Sequence, residues 1–349
     1  MRRLVIFASL LLAQIAVAQS TDRRVSVAVA GLFHSSQFVV EASPAHPLVV
    51  HVPDREFVIG DPAHARALFI RAGKMVSVRV AGVSITVPSA TVTGRSSDSD
   101  FTLSIPSRFR RQYHGTLNIS AAKGELVPVV TMDMETAVAS VVAAETPPGA
   151  PLEFLKALAI AARSYLVAAG PRHPQADFCD TTHCQYLREP PVPGSPAARA
   201  AADTRGLVLT FEGKPFAAMY SASCGGRTHS LVELGLRQRD YPYYPVECAY
   251  CRRNPDRWSA RIAEAEAQLA AKGERERIQL ARRLGWNVVP SNNFQSRETP
   301  AGAELSGVGH GHGLGLCQRG AAAMAREGSS FRVILAHYYP NSLIDSLHE

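Results

Sequence analysis

The chain has 349 residues, enough to bury a proper core as one large domain or two modest ones. Hydrophobic residues make up 46% and charged residues 19%, an ordinary globular balance that excludes general disorder. A formal charge of +7 suits an anionic partner such as cell wall, nucleic acid or a membrane surface, but no basic run is interleaved with aromatics, which argues against nucleic acid.

Taken in chain order, Arg2 and Arg3 precede an apolar run to Val17, and Ala16-Val17-Ala18 offers small residues for cleavage before Gln19. Residues 1–18 therefore read as a secretory signal, too short for a comfortable span, with no stop-transfer pattern after it. The expectation is a protein secreted across the inner membrane to the periplasm or cell wall, with no stable membrane span. All six cysteines, at 179, 184, 224, 248, 251 and 317, follow that segment. In an oxidising compartment some pairing is the default, and six cysteines allow fifteen complete pairings.

Residues 24–131 read as strands: 25–29 and 76–80 alternate with period two, and short apolar runs follow at 48–52, 57–60, 101–105 and 117–120. Near residue 133 the texture changes. An Ala- and Val-rich run ends at Glu145, and Thr146-Pro147-Pro148-Gly149 breaks it, since consecutive prolines bar a helix. Residues 152–168 then predict a helix apolar nearly all round, hence a buried central element. Lys156 and Arg163 lie seven apart on one face of it. They either face a cleft or partner, or snorkel to the surface. A Pro-rich irregular segment covers 171–200, strand patterning returns over 207–222, and 257–284 reads as exposed helix, a possible insertion near 257–285. Residues 331–338 make a last helical turn or two. The whole predicts an α+β protein: a β-rich N-terminal part and a mixed α/β core built around the buried central helix.

Four segments are chemically suggestive. Glu145 sits between an apolar run and the double proline; a carboxylate held against apolar groups is desolvated, which raises its pKa toward an acid/base range. His173, Cys179, His183 and Cys184 lie within twelve residues and form either a zinc clip, thiolate and imidazole being preferred zinc ligands, or a short-loop Cys179–Cys184 disulfide. Ser221 to Thr228 carries Cys224-Gly225-Gly226 after a strand, which makes a turn or lets backbone approach a ligand. Glycine alternates through Gly309-His310-Gly311-His312-Gly313-Leu314-Gly315, which argues for close backbone packing around something. It lacks the strand–GxGxxG–helix context of a dinucleotide site. Either histidine could orient an acid, contact sugar or bind metal.

In order along the chain, Tyr113-His114-Gly115, Val141 to Pro147, Lys156 to Tyr165, Cys184-Gln185, Ala202 to Leu209, Cys224 to Thr228, Gly311 to Ala321 and Ile334 to Pro340 resemble the SpoIID/LytB family of sporulation lytic transglycosylases and amidase enhancers. The resemblance covers about residues 113–341 and implies a β-rich region over 19–112 and a catalytic domain over 113–349. It implies an enzyme that cleaves the MurNAc–GlcNAc β-1,4 bond of peptidoglycan glycan strands and leaves 1,6-anhydroMurNAc ends, with Glu145 as general acid and then base. Substrate contacts are expected at Lys156, Arg163, Tyr165, Gln185, Tyr220, His312 and Gln318. A Zn²⁺ ion would be held by His173, Cys179 and Cys184, with His183 a substitute. The family's Met after the glutamate is Thr146 here, and its Ser-Gln-Tyr is Cys317-Gln318-Arg319. Two other readings stay open: a non-catalytic wall-binding partner of a cell-wall amidase, and a zinc-dependent hydrolase of stem peptides, for which no HExxH pairing is present.

Overall fold

Strands dominate the first third of the chain because buried and open positions alternate there, as in β1 (Arg24–Ala28) and β6 (Met75–Val80). The computed structural model describes residues 23–95, 98–237 and 240–347. The signal read at 1–18 lies outside them. Among the described residues no helix is long and apolar enough to cross a membrane.

The other strands of this part are β2 (Gln37–Glu41), β3 (Leu48–Val52), β4 (Arg55–Ile59), β5 (Arg66–Ala72), β7 (Val83–Val87), β8 (Ser89–Gly94), β9 (Ser99–Ile105), β10 (Phe109–Ala122) and β11 (Glu125–Asp133). With the short β12 (Phe178–Cys179) they form one sheet in the order β12-β1-β11-β10-β9-β2-β5-β6-β7, and β8 leads off β10 to β3 and β4. Pairing is antiparallel except between β1 and β12, where Val27 faces Phe178 and Ala28 faces Cys179.

The sheet curls at the middle of β10. Phe109–Gly115 pairs with β9, whereas residues 117–120 pair with β8. Gly115 stands at the change with φ +144, a conformation L side chains rarely adopt, and a Cβ there would run into the Thr131 carbonyl oxygen. Gly115→Ala is therefore expected to cost about 1–3 kcal/mol of stability. Urea unfolding checks this, and an unmoved midpoint would place the bend elsewhere.

Asp133 ends β11 and caps α1 (Met134–Glu145), its carboxylate accepting from the Glu135 and Thr136 amides. Thr146 leaves the helix in an extended conformation ahead of the two prolines, so Glu145 is the last helical residue. The helix α2 (Leu152–Ala168) is buried at most positions from Phe154 to Leu166. Packed on α1 and α2 are α3 (Pro196–Asp203), with Ser195 as its N-cap, and the sheet β14-β13-β20, made of β13 (Leu207–Phe211), β14 (Lys214–Pro215) and β20 (Leu343–Ser346).

Four further elements surround the glycine-rich loop: β15 (Tyr220–Ser221), β19 (Leu316–Cys317), α7 (Gln318–Arg326) and α8 (Phe331–Tyr338). The short α4 (Ala249–Arg253) packs on α7. A second, smaller core gathers Ile262, Leu280, Val289, Phe294 and Leu305. It lies among α5 (Glu264–Ala270), α6 (Glu274–Leu284) and the sheet of β16 (Arg257–Ala263), β18 (Gly302–Val308) and β17 (Phe294–Thr299).

The protein is thus mixed α/β and strand-rich. One detail differs from the sequence reading. The segment read as helix from 257 begins as a strand, because Trp258, Ala260 and Ile262 alternate inward and pair with β18, and the helices α5 and α6 follow it. Strand β10 runs through residue 113 without a break, and a single core takes in Val25 and Ile334 alike.

Candidate functional site

The C-terminal end of α1 delivers Glu145 into a cleft of about 430 Å³. Its walls come from α2 (Tyr165), the clip segment (His183, Cys184, Gln185), the β15 strand (Tyr220, Ser221), the glycine loop (His310, His312), the start of α7 (Gln318) and the end of α6 (Arg282, with Trp286 beyond it). The Glu145 carboxylate accepts from the Tyr186 amide at 3.2 Å and the Gln318 side-chain amide at 3.3 Å. Burial raises its pKa above the ordinary carboxylate value; the Gln318 and Tyr186 hydrogen bonds and the nearby Arg188 charge oppose this. The negative end of the α1 dipole works in the same direction as burial. Among the described residues that line the cleft, Glu145 is the only carboxylate.

Several neutral polar groups share the cleft with Glu145. His312 accepts from the Leu314 amide through Nδ1 at 3.0 Å, which leaves the proton on Nε2. Burial, with the Arg282 and His229 charges, lowers its pKa to about 4, so it is a neutral donor. A histidine lowered from 6.5 contributes stability above that value and loses it as pH falls toward 4. Comparing urea midpoints at pH 7 and pH 4.5, His312→Gln is expected to shrink the wild-type drop; an equal drop would assign it to other groups. The Tyr220 hydroxyl, the Ser221 hydroxyl and the Gln185 side-chain oxygen are buried without hydrogen-bond partners among the described residues. Burial pushes the Tyr220 phenol well above its usual range, helped by Glu145 nearby. Such orphaned groups beside a cleft are what a polar ligand satisfies.

The alternating glycines pack against the strand that carries Tyr220 and Ser221. Gly315 has φ +65, and a Cβ there would run into the Met219 carbonyl oxygen; at Gly311, with φ +96, it would press on Ser221. The close packing expected from the sequence brings the loop backbone against this strand, and His312 lines the same cleft as Tyr220 and Gln318.

At the rim stands the clip. Ligand atoms of His173, Cys179, His183 and Cys184 all lie within 4.8 Å of one another. His173 Nε2 is 3.2 Å from Cys184 Sγ, and His183 Nδ1 is 3.6 Å from the same sulfur. The Cys179–Cys184 hydrogen bond lowers the pKa of Cys179 and raises that of Cys184, as expected of two thiols sharing one proton. His183 and Cys184 face the cleft, whereas His173 and Cys179 line a neighbouring hollow. This donor set fits one zinc ion, and His183 belongs to it on equal terms with the other three.

Of the residues singled out from sequence, Glu145, Tyr165, Gln185, Tyr220, His312 and Gln318 come together in the cleft. Lys156 and Arg163 do not. Lys156 pairs with Asp203 at 3.1 Å and Glu153 at 3.3 Å. Arg163 is fully buried; it grips both Glu135 carboxylate oxygens, at 2.8 and 2.6 Å, and donates to the Leu207 and Ala201 carbonyls. Both are removed from the list of cleft residues, because acidic partners on neighbouring elements already hold them. Sequence reasoning missed Arg172, Arg282 and Trp286. Trp286 is one of two tryptophans in the chain, a signal that was available.

Comparison with known proteins agrees with this layout. Residues 122–211, from the end of β10 through α1, α2 and the clip to β13, match the profile of the family described as Stage II sporulation protein, SpoIID. The chain is 27% identical over 263 residues to an uncharacterized protein of Brachyspira hyodysenteriae, covering 65% of this chain and 71% of that one. It is 26% identical over 256 residues to the Stage II sporulation protein D of Bacillus amyloliquefaciens, covering 60% and 74%. Similarity to the amidase enhancer of Bacillus subtilis is 36% over 63 residues, only 18% of this chain and 9% of that one. Over its matched helical segment the chain is similar to the SpoIID family, and a relative of that name resembles it over a longer stretch.

Proposed function

We propose that the protein is a peptidoglycan lytic transglycosylase acting in the periplasm or cell wall, with Glu145 as its acid and base. What carries this reading is that, among the described residues lining the cleft, Glu145 is the single carboxylate, set among neutral polar groups, apolar side chains and two arginines. Hydrolytic glycosidases generally use two carboxylates, one to protonate the leaving oxygen and one to activate water or attack. Intramolecular transglycosylation needs only one. Glu145, whose hold on its proton burial strengthens, gives that proton to the glycosidic oxygen as the C1–O bond breaks. As carboxylate it then takes the proton of the muramyl C6 hydroxyl as that oxygen bonds to C1, so no water is consumed and the product ends in a 1,6-anhydro ring.

The His312 Nε2 proton and the Tyr220 hydroxyl are donors in the same cleft as this acid, and they would hold sugar oxygens as charge develops. Arg172 and Arg282 supply positive charge for the lactyl carboxylate or stem-peptide acids of the wall polymer. Trp286 offers a flat face for a sugar ring. The clip would hold its zinc through His173, Cys179, His183 and Cys184, bracing the segment that carries Gln185 and Tyr186. Four protein donors complete a tetrahedral site, which favours a structural ion over the peptide-hydrolase reading, where one position stays open.

Digestion of purified peptidoglycan followed by mass spectrometry tests the proposal. Muropeptides with 1,6-anhydroMurNAc ends are expected; free reducing ends or released stem peptides alone would overturn it. Intact glycan with stimulation of an added amidase would favour the accessory reading that the name of the Bacillus subtilis relative suggests. Because the acid must start protonated, activity is expected to fall as pH rises through the raised pKa of Glu145. A basic limb at the ordinary carboxylate value in the pH–rate profile would show that burial does not tune it.

A further inference from the structure

Behind the cleft wall the other four cysteines converge. Cys224 lies in the turn after β15, Cys248 and Cys251 flank and occupy α4, and Cys317 ends β19. All four are at most 2% exposed, and their sulfur atoms all lie within 4.8 Å of one another. Cys251 and Cys317 sulfurs are 3.5 Å apart. A zinc ion at about 2.3 Å from each of four thiolates would place them about 3.8 Å from one another, the edge of its tetrahedron. A cubane iron–sulfur cluster would hold its thiolates wider apart.

Small apolar packing, the usual role of a buried free cysteine, does not require four sulfurs from three chain segments to face one point. Polar groups also lie within hydrogen-bond reach of the sulfurs. The Cys224 amide donates to Cys317 Sγ at 3.4 Å, Tyr338 Oη lies 3.5 Å from Cys248 Sγ, and Ser223 Oγ lies 3.7 Å from Cys251 Sγ. Hydrogen-bond donors around thiolates are the usual outer support of a metal centre. Cys248 and Cys251 have the C-x₂-C spacing frequent in structural zinc sites.

We infer that Cys224, Cys248, Cys251 and Cys317 bind a second, mononuclear zinc ion in a closed tetrathiolate site distinct from the rim clip. Its place in the fold gives it a job. Cys317 pairs with Ser221 across β15 and β19 and directly precedes Gln318, which donates to Glu145. One ion there ties together the strand presenting Tyr220 and Ser221 and the helix presenting Gln318. The inference stands on the cysteine geometry alone and does not depend on the reaction proposed for the cleft.

Metal analysis and mass spectrometry of the purified full protein decide it. Elemental analysis should find one zinc per chain in a Cys179→Ser/Cys184→Ser variant, and that zinc should be lost when Cys248→Ser and Cys251→Ser are added. Unfolding the wild-type protein in chelator with an alkylating agent and no reductant should label Cys224, Cys248, Cys251 and Cys317 in full. Recovery of those four as two disulfides, or a metal-free clip variant, would overturn the inference. Elemental analysis of the unaltered protein accompanies the alkylation: two zinc ions per chain are expected, and fewer than two with all six thiols labelled would also overturn the inference, even where a cysteine variant does not fold.

Discussion

Glu145→Gln is expected to lower glycan-strand cleavage by about 10²–10⁴-fold, the usual worth of a general acid–base group. The change keeps the shape and removes only the titratable proton. Glutamine can still accept from the Tyr186 amide, and Gln318 can turn its own amide to present oxygen in place of nitrogen. Stability should not suffer. Burial raises the carboxyl above 4.5, so its contribution is fully present below that pH and is lost as pH climbs through the raised value. The neutral amide carries no such loss, and the variant should match or exceed the wild type in urea at neutral pH. Full activity with Glu145→Gln would end the acid–base assignment, and a collapse of stability would show that the carboxylate is structural.

Arg163→Ala should do the reverse, with a loss of about 3–5 kcal/mol in folding free energy and little change in the kinetics of whatever stays folded. The guanidinium is wholly enclosed and paired to Glu135, so removing it strands a mostly buried carboxylate and the Leu207 and Ala201 carbonyls. It holds α1, α2, α3 and β13 to one another, including the helix that ends in Glu145. Equilibrium unfolding measures the loss. Wild-type stability joined to weakened glycan binding would return Arg163 to the cleft.

Lys156 and Arg163 illustrate what a sequence conceals. A cation on a buried helix reads alike whether it faces a ligand or an internal carboxylate, and Glu135 is 28 residues away from its partner. The cysteines divide in the same manner. The clip was visible because its four ligands lie within twelve residues, although His183 looked secondary until its Nδ1 was seen beside both sulfurs. Cys224 and Cys317 are brought to Cys248 and Cys251 only by the meeting of β15, β19 and α4, which no local spacing announces. Glu145 was legible for a local reason, an apolar run stopped by two prolines. The alternation in 25–29 and 76–80 marked true strands. Residues 257–263 alternate too, but Arg and Ala are as common in helices, and tertiary pairing with β18 decided their form.

The parallel pairing of Val27 and Ala28 with Phe178 and Cys179 has a consequence for dissecting the molecule. A fragment starting at residue 113 would lose β1 from between β11 and β12, leaving two raw sheet edges and half of β10 without its neighbours β8 and β9. Unpaired edges invite intermolecular strand addition, so such a truncation should precipitate instead of reporting on the helical half. Partners about 150 residues apart also close late and slowly, which makes the amino-terminal strand a finishing stitch and ties the assembly of the rim to the arrival of the far end of the chain.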